Sequence, residues 1–204
     1  MRTIFLLLSV LLLSSCVAED DYQPLSIEPV FSDKLDVELT IDIVYIKNPN
    51  SNDVAGKFNE QSLIADLNGK YFHRHQIGFT LGNVSVLENE ELSDFTDNRD
   101  EEQETFLNET ETLYTPGRIT VFVIKRANIY GIAGMGYGQR VLITDEHVFE
   151  STTAHEIGHT LGLGHTMEEG NLMCTIKPHL RKSFTTNQVH VMKQKIKSIN
   201  KLND

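Results

Sequence analysis

Eleven residues, His155 to His165, read HEIGHTLGLGH and hold three histidines, one glutamate and three glycines. No other stretch restricts the fold as much. Residues four apart on a helix share a face, so His155 and His159 can offer ring nitrogens to one ion. Glu156, one step round from His155, can reach a water on that ion without ligating the metal itself. Gly162 stands three residues past His159, where a helix ends in the left-handed conformation that disfavours a side chain. The chain then turns, and His165 can return to the ion from outside the helix. Three neutral imidazoles leave a fourth position open, which is the catalytic arrangement and not the closed structural one. HExxH alone arises by chance in a chain of this size at roughly 0.5%, and the glycine and third histidine at fixed offsets lower that about a thousandfold. A structural metal and a site that has lost its activity are the competing readings. The open position argues against the first, and the intact Glu156 against the second.

The other end of the chain reads as targeting. Residues 1–15 have a basic start at Arg2, an apolar run from Ile4 to Leu13 and then small residues, the pattern of a secretory signal peptide. The ending LSSC resembles a bacterial lipobox, which implies cleavage before Cys16 and a lipid on its sulfur. Residues 16–33 are acidic, polar and proline-bearing, so they read as a lipid-anchored flexible tether. The expected location is the bacterial outer membrane or cell surface, with the lipid as the sole contact with membrane. Residues 34–204 are left as one catalytic domain. The formal charge of −11 argues against nucleic acid and against peripheral binding to anionic lipid. Cys174 is the second of only two cysteines, so no disulfide scaffold is expected; it reads as a small buried residue.

Within the domain, Val37, Leu39, Ile41, Ile43 and Tyr45 alternate along a strand from Leu35 to Ile46 with one face buried. Ser51 or Asp53 is placed to cap a helix from about Val54 to Tyr71. Gln76 to Leu87 reads as a second strand, Arg118 to Lys125 as a central third, and Arg140 to Thr144 as a short further one. Between the second and third strands, Glu88 to Thr112 carries eleven acidic residues and one basic. It reads as a solvated loop with one helical turn around Glu101 to Leu107. A structural calcium on Asp94, Asp97 and Asp100 is the alternative there, although the glycine and ligand order of an EF-hand loop are missing. Asp145 or Thr144 is placed to cap the histidine-bearing helix, with Ala154, Ile157 and Leu161 facing the core. Thr185 and Gln188 form a capping-box pattern ahead of Val189, Met192, Ile196 and Ile199 at helical spacing. This order of elements suggests one α/β domain (α+β in its segregated helices) with a mixed sheet.

The motif resembles HExxHxxGxxH of the metzincin zinc peptidases, and its run Gly162-Leu163-Gly164-His165 resembles the matrixin-like branch. The resemblance implies that His155, His159 and His165 bind one catalytic zinc and that Glu156 is the general base. It further implies a methionine in a tight turn beneath the metal, a position Met173 in GNLMCT would fill as a hydrophobic floor. The implied fold is metzincin-like, a mixed twisted sheet with one antiparallel edge strand, an active-site helix and a C-terminal helix. Gly131 to Gly138 would fall in or near the edge strand, where a peptide substrate binds in extended form. Thr175 stands where some branches carry a tyrosine, so no tyrosine ligand is expected. The resemblance also makes the segment after Met173 a wall of the specificity pocket. Its Lys177, Arg181 and Lys182 suggest tolerance for polar or acidic residues. The expected protein is a monomeric zinc endopeptidase. A non-catalytic metal- or partner-binding surface lipoprotein and a hydrolase of some other amide are the alternatives.

Overall fold

Along β1 (Val37–Lys47) the alternating apolar residues pack on one side, and Ile46 on the other, so both faces of its second half are covered. The one-faced strand expected from the alternation is therefore corrected at this end. The protein is seen as a computed structural model that describes residues 25–51, 54–93, 99–125 and 134–201, with the backbone alone for 99–101. After β1 come α1 (Glu60–Leu67), β2 (Ile77–Glu88), α2 (Glu90–Ser93), α3 (Arg99–Glu109) and β3 (Arg118–Ile124). β4 (Gly134–Tyr137), β5 (Arg140–Thr144), α4 (Ser151–Thr160) and α5 (Thr186–Asn200) complete the order. The strands form one mixed sheet in the order β2-β1-β3-β5-β4. β1 runs parallel to both β2 and β3, β3 runs parallel to β5, and β4 alone is antiparallel, at the edge. The expected mixed sheet with a central Arg118–Ile124 strand and one antiparallel edge is what the chain builds. Residues 131–133 of the expected edge segment lie outside the described residues.

The main core packs Ile41, Ile43, Val121, Val123 and Ile143 of the sheet against α1, α4 and α5. Ala154, Ile157 and Leu161 face it as expected, and so do Met192, Ile196 and Ile199 behind a complete capping box at Thr185. A smaller cluster covers the opposite face, where Leu92 and Phe106 meet Ile46, Phe122, Ile124 and Leu142. That cluster explains the first correction. The acidic stretch expected to be a loop with one helical turn at Glu101 to Leu107 has a longer helix around that turn and a second one at Glu90–Ser93, because one leucine and one phenylalanine bury almost completely against the sheet. Asp94 and Asp97 of the calcium alternative lie outside the described residues, as does the side chain of Asp100.

The third correction concerns the helix expected over Val54 to Tyr71. Residues 54 and 55 are extended, since Ala55 N donates to Ile46 O at 3.1 Å and Val54 bridges to Lys47. The cap is Asn59, whose side chain accepts from Ser62 N, and not Ser51; Asp53 is outside the described residues. Past Leu67 the helix loosens into a π turn (Asn68–Phe72) and then a short 3₁₀ turn (His73–His75). The π turn aims the buried Asn68 amide at the outer edge of β2, where it donates to Phe79 O and accepts from Phe79 N, both at 2.9 Å. Asn68→Ala would strand both backbone groups, so a loss of about 2–3 kcal/mol is expected in denaturant unfolding. An unchanged midpoint would mean that water satisfies them already.

Residues 25–33, the described part of the expected tether, lie along the domain. Val30 N donates to Gly69 O at 2.8 Å, Arg74 Nη2 donates to Glu28 O at 2.8 Å, and Phe31 meets His73 edge-on. Cys16 lies outside the described residues.

Candidate active site

α4 carries the first two histidines, and its start differs from expectation. Its N-cap is Glu150, with no side-chain hydrogen bond closing the first turn. Asp145 instead accepts from Gly56 N at 2.7 Å, and Thr144 Oγ1 bonds His147 Nδ1 at 2.8 Å. Both caps are occupied upstream, so the helix begins six residues later than Asp145.

Its end follows the sequence. Gly162 has φ +90°, Gly162 N donates to His159 O, and Leu163 N reaches back to Gly158 O, both at 3.0 Å. These two bonds form a Schellman closure, which turns the chain so that His165 faces the helix it has just left. The Nε2 of His159 lies 3.1 Å from that of His155 and 3.0 Å from that of His165. A tetrahedral ion with nitrogen ligands at about 2.0–2.1 Å sets those nitrogens roughly 3.3 Å apart, so the triad is near the spacing a metal needs.

The backbone decides which nitrogen faces the centre. His155 Nδ1 donates to Leu172 O at 2.7 Å and His159 Nδ1 donates to Leu163 O at 2.8 Å. With the protons held there, the Nε2 lone pairs of both rings point into the same small space, an arrangement that a cation satisfies. Burial pushes His155 down to about 3 and lowers His159 as well. Both rings are therefore neutral near pH 7, the form that ligates. The triad is also the one group of three or more metal-capable side chains found among the described residues.

Met173 is fully buried beneath the triad. A Cβ on Gly158 would stand 2.5 Å from its Sδ, so the glycine is what lets the methionine approach the helix. Asn171 shapes the turn: its Oδ1 accepts from Met173 N at 2.8 Å, and Cys174 N donates to Asn171 O at 3.0 Å. The turn serves two of the three histidines. Leu172 O orients His155, and Met173 O holds Thr166 N at 3.0 Å, next to His165. Cys174 is buried and free, as expected of a packing residue.

Glu156 is 6% exposed and lines a cleft of about 260 Å³ with His159, His165 and the whole of β4. Burial pushes its carboxyl up to about 7, with the charge of Arg181 pulling the other way. β4 sits directly on this part of α4. A Cβ on Gly136 would collide with the Glu156 carbonyl oxygen, and one on Gly134 would stand 2.9 Å from Glu156 Cγ. The segment Gly131 to Gly138 was expected at the edge, but the close approach of these two glycines to α4, Gly158 and the two orienting carbonyls were not singled out from the sequence. The alternation of Gly134 and Gly136 is the one signal that could have marked them.

The three cations after Met173 do not act alike. Lys177 pairs with Glu169 at 2.6 Å and Lys182 is exposed, whereas Arg181 is buried with its Nε donating to Cys174 O at 2.8 Å.

The Bacteroides fragilis metalloproteinase-II structure is similar at 17% identity and a TM-score of 0.47, over 87% of this chain and 58% of that one. The chain thus spans 58% of that protein's length. A zinc-dependent peptidase from Methanocorpusculum labreanum is similar at 12% identity and a TM-score of 0.44, over 74% of this chain and 99% of that one. No curated protein matches. The Matrixin family profile matches residues 73–203, a span that takes in every residue of the histidine site and the turn beneath it. On that match the chain belongs to the Matrixin family of peptidases.

Proposed function

We propose that the chain is a zinc-dependent endopeptidase with Glu156 as its general base. One observation carries the reading: three Nε2 atoms converge at metal-ligand spacing beside a buried carboxylate, in a cleft walled by an edge strand. His155, His159 and His165 would hold the zinc and leave its fourth position open. Zinc, when bound, supplies Lewis acidity to an oxygen ligand there. Glu156 takes a proton on its carboxylate oxygen from the attacking water and delivers it to the leaving nitrogen. Among the described residues β4 pairs only with β5, so its outer edge is open to an extended peptide backbone.

Metal analysis combined with a peptidase assay tests the reading. One equivalent of zinc, activity lost to a chelator and activity regained with added zinc are expected. One equivalent of zinc with no cleavage of any peptide pool would favour a metal- or partner-binding protein instead. The leader and Cys16 support a lipid-anchored enzyme at the cell envelope. The activity should therefore fractionate with membranes, and a Cys16→Ser chain that still did so equally would remove that part.

A further inference from the structure

α3 has no part in the proposed chemistry, yet Gln103, Phe106 and Leu107 of this helix line the cleft that holds Glu156, His159 and His165. It reaches the cleft from the other face of the sheet. Phe106 and Leu107 belong to the smaller hydrophobic cluster, on the side of the sheet away from α4. Arg140 of β5 fixes the helix at that height. Its buried guanidinium donates from Nη1 to Leu107 O at 2.9 Å and to Thr110 Oγ1 at 3.0 Å. Both acceptors stand at the C-terminal end of α3, where a cation is favoured. Arg140 is also the partner of Tyr137 in the last rung of the β4–β5 ladder, so one residue holds α3 and the edge strand together.

The alternation along β4 gives this position its meaning. Gly134 and Gly136 face α4, where an added Cβ would meet Glu156 and His159. Met135 faces the other way and packs with Leu107 on the smaller cluster. Tyr137, two residues on, points to that side as well and is exposed. A peptide paired with the open edge of β4 continues the same pleat. Half of its side chains then point toward α4 and the histidine triad, and the other half toward α3. This second half meets Leu107 and Met135, which the fold leaves only half-buried, with the exposed Gln103 beside them. Apolar groups left partly in water gain when another apolar group covers them.

We infer that α3 is a second wall of the substrate cleft: Leu107, with Met135 of the edge strand, forms an apolar subsite for a leucine-, methionine- or phenylalanine-sized side chain of the bound peptide, and Gln103 stands at its lip. The inference rests on the peptidase reading for its extended ligand. The side chain it takes points away from the triad. The residues before and after it in the peptide point to α4 and lie outside its reach.

A charge placed at the lip tests this, because Gln103 is exposed and its replacement leaves the core untouched. The zinc-loaded full chain, as wild type, Gln103→Lys and Gln103→Glu, is given a degenerate peptide library, and preferences are read position by position from the cut bond. Wild type should favour Leu over Ala by about tenfold at one position on the α3 side. At that same position Gln103→Lys should raise Glu over Lys by about two- to fivefold, and Gln103→Glu should reverse the order. The positions on either side of it should not respond. Leu107→Ala should flatten the Leu preference there and nowhere else. If no position responds to the charge at 103, or if adjacent positions respond alike, the subsite is overturned. The same charge series is measured as binding, by fluorescence anisotropy, with Glu156→Gln as the background and amidated octapeptides carrying Glu or Lys at each position in turn. A wild-type chain that cuts nothing, while binding still follows the charge at 103, defeats the peptidase reading and leaves the wall standing. Cleavage or binding that is blind to residue 103 defeats the wall, whether or not the chain is a peptidase.

Discussion

Glu156→Gln is expected to keep one zinc per chain and to lose about 10²–10⁴-fold in kcat/KM, the usual contribution of a positioned general base. The amide has the shape of the carboxylate, so the contact with β4 survives while the proton acceptor is gone. Metal binding should be spared because the His155 and His159 imidazoles are oriented by the Leu172 and Leu163 carbonyls, not by Glu156. The pH profile carries a second mark. In the metal-free chain burial holds the Glu156 carboxyl up at about 7. A cation in the histidine site favours the carboxylate, so the acidic limb of kcat/KM should lie below that value. Stability should respond in the opposite sense. A carboxyl whose folded pKa is raised stabilises the fold in full below its unfolded value near 4.5, and that benefit is lost as pH rises through about 7. Metal-free Glu156→Gln should therefore melt above the metal-free wild type at pH 8, and the gap should close toward pH 5. A variant with zinc bound and wild-type hydrolysis would end the general-base assignment.

The triad was legible because its information is local: fixed offsets on one helix, and one glycine whose φ of +90° a side chain would resist. The strands were legible for a similar reason, since Ile119 to Ile124 is rich in β-branched residues and its run Val121 to Ile124 is wholly apolar, as a strand in the middle of a sheet requires. What sequence could not supply is contact over distance. Phe106 turns an acidic run into a helix only because Phe122 and Leu142 wait on the far face of the sheet. The cap of α4 moved to Glu150 because Gly56, 89 residues away from Asp145, had already taken that carboxylate. Backbone carbonyls have no letter of their own, so the groups that set the tautomers of His155 and His159 were invisible until the turn at Asn171 was built. Arg181 was legible as a cation near the site, but its burial, which makes that charge consequential, belongs to the packed fold.

The seat of β4 is the least forgiving part of the site, and Gly136→Ala should show it. The added methyl would collide with the carbonyl oxygen of Glu156 and lie 3.1 Å from His159 Cβ. Both belong to α4, and a helix backbone cannot rotate aside as a flexible side chain can. Relief has to come from β4, a four-residue strand paired with β5 from Gly134↔Ile143 to Tyr137↔Arg140 and with no second neighbour among the described residues. Moving it costs about 1–3 kcal/mol, as overpacking usually does. The larger effect should fall on catalysis. A substrate held along the displaced edge is carried away from Glu156 and the metal, and a shift of about 1 Å is worth roughly 10²-fold in rate. Zinc content should not change, since none of the three histidines lies on β4. Gly138→Ala is the matched control: it has φ +53° and nothing within 4 Å of an added Cβ. Its cost should be the left-handed backbone alone, about 1–2 kcal/mol, with hydrolysis close to wild type. If Gly136→Ala instead cut peptides as fast as Gly138→Ala, β4 would not be the wall that aligns the substrate, and an open edge beside Glu156 would have to be explained by something other than peptide binding.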